Sequence, residues 1–158
     1  MSVLTFTVYG IPAPQGSMRA FIPKGWKRAV LTSANKRTKP WRQEVAGAAL
    51  AAMERAKFEQ AGKSVAFQLC VSFRFQKPKS AKKSVTQKVT KPDLDKLLRS
   101  VLDALTGIVW VDDSQVVIIS ARKDFGQPGA TITFSEMDDL PPGKALKHEA
   151  INDSELPF

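Results

Sequence analysis

Residues 65 to 75 read VAFQLCVSFRF, with Val65, Phe67, Leu69, Val71, Phe73 and Phe75 at every second position. Successive side chains of an extended chain point to opposite faces, so this run predicts a strand that buries one entire face. A strand that apolar needs neighbours beside it and a layer laid over it, and the rest of the chain must supply both.

It does so in order. VLTFTVY (3 to 9) alternates Leu4, Phe6 and Val8 and predicts a first strand. VVIISARK (116 to 123) and ATITF (130 to 134), joined by a turn at GQPG, predict two last ones. Between them lie two helical patterns. Trp41, Val45, Ala48, Ala52, Met53 and Ala56 recur at three and four residues from Thr38 or Lys39 to Gln60, with Pro40 in the first turn and Gly62 as the stop. Leu94, Leu97, Leu98, Val101, Leu102 and Leu105 form the apolar stripe of the second, closed by Gly107. The expected order is β-α-β-α-β-β, a single α+β domain over residues 1–135 with helices packed on one mixed β-sheet. A chain of 158 residues with 43% hydrophobic content can bury one such core.

The connections carry the charge. Residues 10 to 39 are rich in Pro, Gly and cations and predict a long loop with a short hairpin around Gly25. They include Arg19, Lys24, Lys27, Arg28, Lys36, Arg37 and Lys39, without one acid. Residues 76 to 91 hold six lysines (Lys77, Lys79, Lys82, Lys83, Lys88 and Lys91), again without an acid; alone, such a stretch repels itself and stays mobile. Residues 136–158 reverse the sign, with six acids against two lysines, and a disordered acidic tail is expected there. Removing that net of −4 from the chain's +9 leaves +13 on the body, 22 basic residues against nine acidic. So basic a body points to a polyanionic partner, with solubility alone as the plainer explanation.

Several functions are excluded early. Cys70 is the single cysteine, which rules out an internal disulfide or a cysteine-rich zinc site; its place in a strand predicts a buried, inert thiol. His148, the single histidine, lies in the polar tail and is a poor candidate for general base or ligand, so histidine-based hydrolysis is nearly excluded. No stretch approaches a membrane span and MSVLTFTVYG lacks the layout of a signal peptide, which leads one to expect a cytoplasmic protein.

Five of the body's nine acids fall in KPDLDKLLRSVLDAL and VWVDDSQVV, and four of them stand as two close pairs, Asp93 with Asp95 and Asp112 with Asp113. Residues two apart on a helix point about 200° away from each other, so Asp93 and Asp95 converge only where the helix begins. Pro92 favours extended geometry before it, which makes Asp93 an N-cap and puts Asp95 in the first turn. Arg99 follows Asp95 by four and shares its face. Capping, the helix dipole and that pairing account for the helix, but not for Asp112 and Asp113. A return through TGIVWV is expected to bring these two toward Asp93 and Asp95, where mutual repulsion calls for a cation. Oxygen-only ligands favour Mg²⁺, or Mn²⁺, over zinc.

The same residues resemble the RusA family of Holliday-junction resolvases, small magnesium-dependent dimeric endonucleases of bacteria and phages. The match is strongest from Lys91 to Lys123. The resemblance implies a RusA-like fold, a homodimer, branched DNA as substrate, and hydrolysis of its phosphodiesters in recombination and repair. It assigns metal binding and catalysis to Asp93, Asp95 and Asp113, with Asp112 as a neighbouring acid. The family's helix lysine falls on Arg99, which keeps charge but not the capacity to lose a proton. Lys96 stands where the best-known members have Asn, and Lys123 matches a basic position on the third strand. With Arg19, Lys24, Lys27, Arg28, Lys77, Lys79, Lys82 and Lys83, these two lysines form the expected DNA-binding set. The tail's end, INDSELPF, is similar to the tip of bacterial single-stranded DNA-binding proteins, which partner proteins recognise; a merely solubilising end is the plainer reading. Two rivals share these features: a branched-DNA-binding protein with a decayed site, and a metal-dependent nuclease acting on flaps.

Overall fold

Residues 66 to 75 form the expected strand and lie inside a four-stranded sheet. The computed structural model describes residues 2–137 apart from 17 and 34, and only the backbone at 18, 19, 32 and 33. The expectations for the tail, its tip and His148 therefore concern residues outside those described.

Its elements are β1 (Val3–Tyr9), β2 (Met18–Phe21), β3 (Val30–Ser33), α1 (Thr38–Ala56), β4 (Ala66–Phe75), α2 (Leu94–Leu105), β5 (Val116–Phe125) and β6 (Gly129–Met137), with a 3-10 turn at Asp113–Gln115 leading into β5. The main sheet runs β1-β6-β4-β5, and β2 pairs with β3 in a separate hairpin. β1 and β4 flank β6 antiparallel to it, whereas β4 and β5 are parallel, so the sheet is mixed. The domain is α+β, with the RusA-like arrangement that the sequence leads one to expect.

The alternation in the sequence sets the faces. Leu4, Phe6 and Val8 of β1, the odd residues from Phe67 to Phe75 of β4, and Ala130, Ile132 and Phe134 of β6 all face one buried layer. Trp41, Val45, Ala49, Ala52 and Met53 of α1 fill that layer, together with Leu97, Val101, Ala104 and Leu105 of α2. Phe134 lies at its centre, edge-on to Phe6, Phe58, Phe67 and Trp110. The other face is polar: Thr5 bonds Thr133, Arg74 bonds Thr131, and Ser72 bonds Asp124, which pairs with Arg122. Cys70 lies on this open face, half-buried rather than buried, because its neighbours there are hydroxyl side chains and neither α1 nor α2 covers them.

Some boundaries differ from the sequence pattern. α1 stops at Ala56 instead of Gln60, because Lys57 takes a left-handed φ of 53° and releases the chain there. That turn lets Phe58 pack against Phe134, with ring centroids 5.3 Å apart, a gain outweighing the mild cost of left-handed geometry at a lysine. β5 and β6 run further than expected, to Phe125 and Met137. Among the described residues, no helix is long and apolar enough to cross a membrane.

Candidate metal and nucleic-acid site

Asp93 sits at the entrance of α2 in extended geometry (φ −70°, ψ 139°), and Asp95 lies in the first turn, as the Pro92 argument anticipates. The Asp93 carbonyl accepts from Leu97 N at 3.1 Å and opens the helix. Its carboxylate makes no cap bond. Lys96 Nζ donates to it instead, at 2.8 Å, so the ion pair of this helix is Asp93–Lys96 and not the Asp95–Arg99 pair expected from sequence. The Lys96 hydrogen bond and charge hold the Asp93 carboxyl below the ordinary aspartate range, and Asp93 raises Lys96 in return. One of the three donors of Lys96 is thus taken up by Asp93. Asp95 and Arg99 are exposed beside it.

Lys123, near the end of β5, serves this entrance from below. Its ammonium donates to Thr90 O at 2.9 Å and to Pro92 O at 2.8 Å, tying the strand to the residues that lead into α2. The expected phosphate contact has at most one of its three donors left. Lys88 folds over the Phe75 ring at 4.9 Å and bonds Thr90 and Lys91, so the end of the lysine-rich loop is anchored rather than loose. Lys79, Lys82 and Lys83 remain exposed, and Lys77 is half-buried and bonds Lys83 O. Above the entrance, Gln15 N donates to Lys96 O at 2.9 Å and draws the N-terminal loop against α2. A cleft of about 450 Å³ opens there, lined by Pro12, Pro14, Arg37, Lys91 and Asp93 among others.

Asp112 and Asp113 are elsewhere. Asp112 caps the 3-10 turn, its carboxylate accepting from Ser114 N at 2.9 Å, and Ser114 holds it below the ordinary aspartate range. Asp113 is exposed as the first residue of that turn. Gln115, which sequence reasoning passed over, fixes both. Its Oε1 accepts from Val111 N and Asp112 N (2.8 and 3.2 Å), and its Nε2 donates to Gly62 O and Val65 O (both 2.9 Å). A buried glutamine with all four partners satisfied leaves no mark in a hydrophobicity pattern.

The acids do not meet within one chain: among the described residues, no three acidic, histidine or cysteine side chains are grouped to hold a metal ion. α2 has 12 residues, a rise of about 18 Å, and its two ends carry the two acid pairs. β5 then retraces that length beside β4, so Lys123 and not Asp113 returns to the α2 entrance. Two oxygens that share one Mg²⁺ lie within about 4 Å of each other. The expected return through TGIVWV does occur, with Trp110 buried and Thr106 bridged to it, but at the far end of the helix.

Of the expected DNA-binding cations, Lys24, Lys27 and Arg28 are exposed on the β2–β3 hairpin, and the Arg19 side chain lies outside the described residues.

Two comparisons bear on this arrangement. Residues 12–135 match the family model described as Endodeoxyribonuclease RusA, a span that includes both acid pairs, Arg99 and Lys123. Over 135 residues the chain is 30% identical to a Bacillus subtilis (strain 168) protein named Uncharacterized protein YqaN, covering 80% of this chain and 91% of that one. The chain belongs to the RusA family of endodeoxyribonucleases, hydrolases that act on DNA.

Proposed function

We propose that this nuclease is a Mg²⁺-dependent resolvase of four-way DNA junctions, working as a homodimer in recombination and repair. The observation that carries the reading is the pair of half-buried Asp93 and exposed Asp95 at the mouth of α2, among Lys91, Lys96, Arg99 and Lys123 on a body of strongly basic net charge. Acids placed together within a DNA-binding surface repel the substrate unless a cation sits between them.

The donor set fits Mg²⁺ or Mn²⁺, being oxygen alone among the described residues. Asp93 and Asp95 make half a site; the third carboxylate, Asp113, comes from a second copy. β5 offers the means. It is one of the two edge strands of the sheet, and Val117 (59% exposed) and Ile119 (42%) lie bare along it. Two β5 edges related antiparallel by a two-fold axis would send Asp113 of each copy toward the α2 entrance of the other. Asp112, occupied by its cap, sets the turn that aims Asp113. When bound, the ion supplies an activated water and neutralises charge developing on the phosphate. The residues do the rest: Lys96 holds Asp93 ionised and in place, Arg99 adds positive charge where the scissile phosphate gains negative charge, and Lys123 keeps the entrance in register. The lysines of residues 76–91 and the hairpin cations grip the backbone.

Labelled synthetic junctions, flaps and duplexes, incubated with Mg²⁺ or with EDTA, test this. Paired, Mg²⁺-dependent cuts in the junction are expected; cuts only in flaps would overturn the choice of substrate.

A further inference from the structure

We propose that the tip of the β2–β3 hairpin recognises the branch point itself, with Trp26 stacking on base faces left unstacked there. This deepens the junction reading above and rests on it. The hairpin pairs with no strand of the main sheet. Yet it presents Phe21 (49% exposed), Ile22 (64%), Trp26 (63%) and Leu31 (62%). Isolated two-stranded hairpins are marginal, and large apolar side chains on one mark a surface that something covers.

The charge around the tip says what. Lys24, Lys27 and Arg28 are exposed beside Trp26, and the chain's first acid is Glu44, so the whole hairpin has no negative side chain. Flat apolar groups among cations fit a ligand with flat apolar groups among anions: nucleobases strung on phosphates. The backbone presents Trp26 on a built turn. Gly25 takes a φ of 88° and Trp26 N donates to Pro23 O at 2.9 Å, the type II geometry that needs glycine at its third position. In a continuous duplex the base faces are stacked and closed to an indole. They open at a branch, so this contact discriminates branched from linear DNA, where the lysine-rich loop does not.

The full chain itself reports the contact. Trp41 and Trp110 are buried, which leaves Trp26 as the solvent-facing indole. In EDTA, titration with a four-way junction should quench Trp26 emission, and a linear duplex of the same length should not. Trp26→Ala should lose about tenfold or more in junction affinity with duplex affinity unchanged, and Trp26→Phe should recover most of it. Equal junction binding by Trp26→Ala, or an equal loss on junction and duplex, would overturn the inference. So would a shift in sedimentation caused by Trp26→Ala, which would make the tip a protein contact. The two readings fail separately. A wild-type chain that cuts junctions while Trp26→Ala binds them normally sinks only the tip; one that cuts no branched DNA, yet discriminates it through Trp26, sinks only the resolvase.

Discussion

Mixing two dead variants should restore cutting. Asp95→Asn removes an acid at the α2 entrance and Asp113→Asn removes one that lies beyond the other end of that 12-residue helix, whose rise is about 18 Å. If each site takes Asp93 and Asp95 from one copy and Asp113 from the other, each variant alone has two broken sites. A mixed dimer has one site with both lesions and one with none. Random exchange makes about half of all dimers mixed, so an equal mixture should nick at roughly one quarter of the wild-type rate per chain. The products should be single nicks, because the second site of each mixed dimer is dead. The assay is a junction labelled on each strand in turn, cut with Mg²⁺ after the chains have been co-refolded or co-expressed, and read on a denaturing gel. Both variants should bind junctions within about twofold of wild type, since neither loses a cation contact. A mixture as inactive as its components would refute the shared site. So would an active Asp113→Asn, which would leave the α2 entrance to work without that acid.

Three further outcomes follow from particular contacts. Gln115→Leu removes four part-buried hydrogen bonds, of whose partners Gly62 O keeps the Val65 amide, and should cost about 2 to 4 kcal/mol by urea unfolding, whereas a loss below about 1 kcal/mol would mean that the turn closes without it. Lys82→Ala with Lys83→Ala should weaken binding to every DNA shape and flatten the plot of log affinity against log salt by about two; an unchanged slope would remove this loop from the phosphate contacts. Lys96→Ala should let the Asp93 carboxyl titrate at a higher pH, followed by carboxyl carbon NMR. Its depressed value means that the stabilising charge is present above the ordinary aspartate range and is lost as pH falls through its own titration, so the variant should lack this part of the acid-side fall in stability.

How much of this could be read from residues alone varied with the kind of signal. α2 was legible to the residue: its stripe is strongly apolar, Pro92 and Asp93 open it, and Gly107 closes it with a φ of 81°. The alternation in β4 fixed which face the helices cover. The end of α1 was not legible, because it depends on where Phe58 finds room, and a lysine in left-handed geometry has no signature. The acid site was half legible. Residue types and the cap at Asp93 pointed to the α2 entrance, but nearness in sequence misled about Asp113. A helix joining two parallel strands carries the chain back to the end of the sheet where the first strand began, and pairing of β4 with β5 is a long-range fact no local pattern contains.

The anchoring of Lys123 has a mechanical consequence. Its two bonds to Thr90 O and Pro92 O make a rivet between the floor of the sheet and the cationic ribbon that leads into α2. If the ribbon grips a DNA backbone as proposed, a load on it would reach Asp93 within three residues, and the rivet would keep that load from levering the helix off the sheet.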